Sequence, residues 1–146
     1  MIPVFVLVAA FAVFRLLGFA VPYFADWQPS LRAALGVMFL LTASAHWGRR
    51  RADLVRMVPP RFGNPALWVT LTGAAEMLIA VGLQAPRIAL FVAILAAVML
   101  ICIFPANAKA AREKLTIAGR PVPSFGVRLL IQIVFLAALA AAVWPI

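Results

Sequence analysis

Five long apolar runs, cut by short tracts rich in arginine, lysine and proline, leave this chain few folds to choose from. They lie at about residues 2–21, 30–47, 66–83, 88–104 and 125–144. A helix needs roughly 20 mostly apolar residues to cross the hydrocarbon core of a bilayer. Runs of this length therefore predict an all-α fold: a transmembrane helical bundle of five spans forming a single membrane domain over residues 1–146.

Composition agrees. Hydrophobic residues make up 66% of the 146 and the mean hydropathy is +1.10, far above a soluble domain. The net charge of +9 would suit nucleic acid, but its placement argues otherwise. The basic residues sit in tracts between apolar runs, as expected for loops facing the cytoplasm. The runs leave little polar surface on which nucleic acid could dock, so the partner this points to is the lipid bilayer. The single cysteine, Cys102, excludes an internal disulfide and a CxxC redox pair. With only His46 beside it, a metal site built from several Cys and His is excluded too.

The first run holds Arg15. A secretory signal peptide would need a basic segment before its apolar core and a small-x-small cleavage site; neither is seen, and the run is read as a retained helix ending at Pro22. Tyr23 and Trp27 suit the headgroup level. Ser30 is the expected N-cap of the second helix, whose Leu35, Phe39, Thr42 and His46 share a face. Asn64 is the expected cap of the third, with Pro65 in its first turn. Phe104-Pro105-Ala106-Asn107 is expected to break the fourth helix, with residues 108–115 continuing as a polar helical extension. Gly119, Pro121 and Pro123 end that extension. Alanines cluster in the first, fourth and fifth runs and allow close helix approach.

Charge sets the orientation. Arg49, Arg50, Arg51, Arg56 and Arg61 lie between the second and third helices, and Lys109, Arg112, Lys114, Arg120 and Arg128 lie around the link from the fourth to the fifth. The two loops are two spans apart, so they share a side. The bias predicts that loops 48–65 and 106–124 are cytoplasmic, the N-terminus in and the C-terminus, after Ile146, out.

Glu76 stands near the middle of the third run. An unpaired carboxylate at that depth costs several kcal/mol by insertion scales. Arg15 is the expected partner, because helices one and three run in the same direction and bring the two to similar depths. His46 is expected near the end of its helix, too far for contact, with a water chain through Thr42 and Thr72 as the only link. Thr72 and Gly73 lie one turn before Glu76 and offer a hydroxyl and room for close approach. Two readings stay open: a structural ion pair that fixes helix register, or a proton-binding or ligand-binding carboxylate. Cys102 is read as a small apolar filler, Asp26 as solvated, and Asn107 as a cap at the break or a hydrogen bond across the bundle.

Thr72-Gly73-Ala74-Ala75-Glu76 with Gly82-Leu83, then Phe104-Pro105-Ala106-Asn107, resembles the DoxX-like membrane proteins; Ser44-Ala45-His46-Trp47 and Met57-Val58-Pro59-Pro60 add to this. The resemblance covers about Leu31 to Pro145 and leaves residues 1–22 as an added N-terminal span. It implies a four-helix core in the cell inner membrane, with roles that differ among members: subunits of quinone-linked oxidoreductases, parts of oxidative-stress complexes, assembly chaperones, and binders of sterol-like ligands. Fold alone does not choose among them.

The reading placed first is an accessory subunit of a quinone-linked or oxidative-stress redox complex, with Glu76 near a quinone or proton path. The chain has no dinucleotide loop, flavin motif, haem pair or iron–sulfur cysteines, so an electron carrier such as a quinone must diffuse in or come from a partner. The alternatives are a non-enzymatic membrane scaffold or assembly chaperone, and a binding protein for a small hydrophobic ligand in a cavity lined by Glu76, Thr72 and His46. Protein partners or a homo-oligomer belong to all three. One acid, one histidine and an unactivated thiol do not make a complete enzyme. Candidate ligand-binding or proton-binding residues are Glu76, Arg15, His46, Thr72 and Asn107.

Overall fold

A computed structural model describes residues 2–144; Met1 and the end of the chain, Pro145 and Ile146, lie outside the described residues. Six α-helices follow one another: α1 (Ile2–Leu17), α2 (Trp27–Ser44), α3 (Arg51–Met57), α4 (Pro65–Gly82), α5 (Ala89–Arg112) and α6 (Phe125–Val143). A small antiparallel hairpin, β1 (Thr116–Ile117) with β2 (Arg120–Pro121), joins α5 to α6.

Three helices, α4, α5 and α6, are long and apolar enough to cross a membrane. α1 is apolar but has only 16 residues. α2 has 18 residues, with Gln28, Ser30 and Arg32 in its first turns. What α2 lacks in hydropathy it makes up in enclosure. It packs against α1, α4 and α6, and Leu35, Met38 and Phe39 are almost wholly buried. α2, α4, α5 and α6 close a ring, each touching the next, and α1 lies against α2 on the outside. Leu83 of the turn after α4 and Leu139 of α6 complete the centre of the core. Around it the outer surface is apolar, with Phe5, Leu78, Phe91, Ile101 and Leu130 all more than half exposed. A water-facing domain rarely shows so much contiguous apolar surface; hydrocarbon is the solvent that suits it.

The helix ends show which local signals hold. Asn64 Oδ1 accepts from the N–H groups of Ala66 and Leu67, with Pro65 at the first position of α4, as expected. Ser30 is not a cap. α2 starts earlier, after Asp26, and the Ser30 hydroxyl is buried in the first turn, within 3.1 Å of the Phe24 carbonyl and 3.2 Å of that of Asp26. α1 stops at Leu17 and not at 21, because Gly18 turns under the Phe24 carbonyl. A Cβ there would stand 2.4 Å from the carbonyl oxygen.

The expected break at Pro105 does not occur. α5 is one 24-residue helix with Pro105 inside it. The proline removes one donor, the one that would bond Ile101, on an exposed face of the helix. Packing against α6 carries the helix through. Cys102 fills no core gap either: it is exposed on α5.

Hydrogen bonds join the two basic loops at one end of the bundle. Lys109 Nζ donates to the Arg56 carbonyl at 2.8 Å and the Val58 carbonyl at 3.3 Å, closing the end of α3. Asp53 pairs with Arg56 and accepts from the Ala118 N–H at 2.8 Å, tying α3 to the hairpin. At the other end Gln28 donates to the Trp144 carbonyl, Arg32 to that of Ala142, and Gln84 to that of Arg32.

Candidate functional site: a buried histidine–glutamate pair

Two glycines set the antiparallel crossing of α2 and α4. At Gly36 a Cβ would stand 2.7 Å from the Gln84 side chain and 3.1 Å from the Ala80 carbonyl. At Gly73 it would stand 2.6 Å from His46 Cβ and 2.8 Å from the Trp47 ring. These contacts stagger the helices. α2 ends level with the middle of α4, and the first turns of α4 run on beyond it. The turn after Ser44 therefore folds His46 and Trp47 into the notch at Gly73, deep along α4.

That stagger corrects the expected separation of His46 and Glu76. His46 Nε2 lies 3.5 Å from Glu76 Oε2, with both side chains largely buried. It corrects the Arg15–Glu76 pair as well. α1 packs mainly against α2 and makes no comparable contact with α4. Arg15 turns to the far end of the bundle and donates to the Phe24 carbonyl at 3.1 Å and the Ala25 carbonyl at 2.6 Å.

The hydrogen-bond pattern limits the protonation of the pair. His46 Nδ1 lies 2.6 Å from the Val69 carbonyl oxygen. A carbonyl only accepts, so Nδ1 carries the hydrogen. Nε2 is then either a bare acceptor or the second N–H of an imidazolium. Glu76 Oε2 accepts no hydrogen bond within the usual limits among the described residues, and His46 Nε2 at 3.5 Å is the ionisable group it faces. A bare nitrogen facing a bare carboxylate in a buried site would set two acceptors against each other. The pair therefore holds one proton between its members, as acid and imidazole or as carboxylate and imidazolium. It is neutral overall in both forms, which lowers the cost of placing it at this depth.

Thr72 stands beside the pair, 3.4 Å from His46 Nδ1, but its hydroxyl donates back to the Trp68 carbonyl at 2.8 Å. Thr42 likewise donates to the Phe39 carbonyl. His46 and Glu76 stand close enough to need no bridge through the two threonines, whose hydroxyls bond within their own helices. Asn107 takes the cross-bundle role: its Oδ1 accepts from Arg128 of α6 at 2.5 Å. Of the five candidates, Glu76, His46 and Thr72 come together; Arg15 and Asn107 do not join them.

Arg51 is the residue that sequence reasoning missed. It counted only as topogenic charge, yet it donates to the His46 carbonyl at 2.8 Å, the Ala66 carbonyl at 3.1 Å and Thr70 Oγ1 at 2.9 Å. It clasps the His46 turn to the protruding start of α4. Its place as the last of three arginines gives no hint of this. Among the described residues no three His, Cys, Asp or Glu gather where a metal ion could be held. Two open grooves lie at the basic end, and neither is lined by His46 or Glu76.

Residues 35–144 match the family described as Domain of unknown function (DUF8561). The chain belongs to that family. The matched stretch holds His46, Arg51, Gly73 and Glu76 together with most of the four-helix ring, and it leaves α1 outside. No curated protein and no solved structure matches the chain.

Proposed function

We propose that the protein is a five-span bundle of the cell inner membrane, with α1, α2, α4, α5 and α6 as the crossings, that serves as an accessory subunit of a quinone-linked or oxidative-stress redox complex. The observation that carries the reading is the His46–Glu76 pair. An acid and a base in contact inside a membrane bundle can take up and release protons of the kind that quinone reduction and oxidation move. The DoxX-like resemblance of the Glu76 and Pro105 segments supports the same reading. The quinone and the electron donor come from outside the chain. The basic loops face the cytoplasm, with the N-terminus inside.

Affinity purification from native membranes tests this. It should recover a redox partner and extractable quinone, and Glu76→Gln should lower quinone-linked electron transfer without lowering the amount of protein. Recovery of neither partner nor quinone overturns the reading.

A second reading has its own observation. The Gly73 notch and the Arg51 clasp show how firmly the pair is built into the α2–α4 contact. If Glu76→Gln leaves electron transfer intact while partner membrane proteins fall in abundance on deletion of the chain, the bundle is a scaffold or assembly chaperone and the pair is its lock. Neither groove borders Glu76, so a quinone beside the pair and a small hydrophobic ligand alike would reach it from elsewhere than these two grooves.

A further inference from the structure

The larger groove, about 450 Å³ in volume, opens at the basic end between the Pro59-Pro60-Arg61 turn and the last turns of α5. Pro105 and Ala108 line it from the helix, and its charged groups are Arg61, Lys109, Arg112 and Glu113. Lys109 is committed to the Arg56 and Val58 carbonyls and lies 3.9 Å from Glu113, so the one acid of the rim already faces a cation. Arg61 lies over the Phe62 ring at 5.0 Å. Neither Arg61 nor Arg112 forms an ion pair or side-chain hydrogen bond among the described residues.

The helix face that lines the groove continues along α5 as an apolar stripe. Leu90, Ile94, Val98 and Ile101 are each more than half exposed. They recur at three- and four-residue intervals, and Pro105, Ala108 and Arg112 extend the same row. About 16 Å of helix separates Ile101 from Arg112. One face thus leads from apolar outer surface into a pocket with two unpartnered guanidinium groups.

We propose that this groove binds an anionic phospholipid, its phosphate between Arg61 and Arg112 and an acyl chain along the Leu90–Ile101 stripe. Guanidinium forks match phosphate oxygens, and basic pockets at helix ends suit anionic headgroups. A soluble phosphate would use the cations and leave the stripe unused; the continuity of the two favours one molecule with a charged head and an apolar tail. The inference rests on the apolar outer surface, not on the redox reading.

The full chain in nanodiscs of phosphatidylcholine with a minor share of phosphatidylglycerol provides the test, with retained lipid measured after exchange into detergent. The wild type should retain phosphatidylglycerol preferentially. The double variant Arg61→Gln/Arg112→Gln should lose about tenfold in retention, and the charge-matched Lys114→Gln/Arg120→Gln, outside the groove, less than about threefold. Both should elute and melt like the wild type. Equal losses in the two double variants would reduce the effect to diffuse surface charge and overturn the site. So would unchanged retention in the groove variant. Displacement of phosphatidylglycerol by millimolar inorganic phosphate as effectively as by added phosphatidylglycerol would make the ligand a soluble phosphate and overturn the lipid assignment.

Discussion

At the scale of single residues the pair behaves as one neutral unit, and substitutions should divide on whether they leave a partner for His46 Nε2. Glutamine at 76 keeps the shape and supplies an N–H to a neutral imidazole. Glu76→Gln should therefore fold with stability within about 1 kcal/mol of the wild type. Glu76→Ala strands a buried ring nitrogen and should cost about 1–3 kcal/mol, read as a lower melting temperature in detergent. A Glu76→Gln variant as unstable as Glu76→Ala would show that the negative charge, and not the shared proton, matters. Glu76 was legible in the sequence, because a carboxylate in an apolar run is costly and has to be answered. Its partner was not. Position along the sequence gives depth only if helix ends are level, and the stagger set by Gly36 and Gly73 places His46 beside residue 76.

At the scale of elements, the clasp and the loop tether join the segments of the basic end by hydrogen bonds. Arg51 spreads one guanidinium over three acceptors on two segments, a geometry that an ammonium does not reproduce. Arg51→Lys should thus recover only part of the stability lost in Arg51→Ala, which we expect to be about 1.5–3 kcal/mol. Full rescue by lysine would mean that charge alone holds the turn. Asp53 gives this end a pH dependence. The Ala118 N–H, and after it Arg56, hold its carboxyl below the ordinary 3.8. A carboxylate favoured in the folded state stabilises above its unfolded value, and that contribution disappears as pH falls through the lowered one. Exchange protection at the Ala118 amide should hold at neutral pH, weaken below about pH 4, and be lost at all pH values in Asp53→Ala. Local signals read Asn64 correctly, since that cap needs only its own helix. They failed at Ser30 and Pro105, where contact with Phe24 and packing against α6 decide the outcome.

At the scale of the molecule, the ring of α2, α4, α5 and α6 contains the pair, the clasp and both basic loops, while α1 touches the ring mainly through α2. The sequence showed the grouping of the basic loops through charge alone, and hydrogen bonds donated by Lys109 and accepted by Asp53 join them. It could not show that α1 packs chiefly on α2, because parallel direction and matched depth do not fix which neighbours a helix has. Removal of residues 2–21 tests the division. It uncovers one face of α2, including the contacts of the buried Leu7, so the melting temperature should fall. It takes nothing from His46, Arg51, Gly73 or Glu76. The basic loops also keep their charge, and in the proposed five-span topology they should keep their side of the membrane. In a Cys102→Ser background, cysteines introduced at Arg50 and Lys114 should both resist an impermeant thiol reagent added to intact cells and react after lysis, with and without residues 2–21. Labelling of either one in intact cells would reverse the orientation. Labelling only after the deletion would make α1, and not loop charge, the element that sets it.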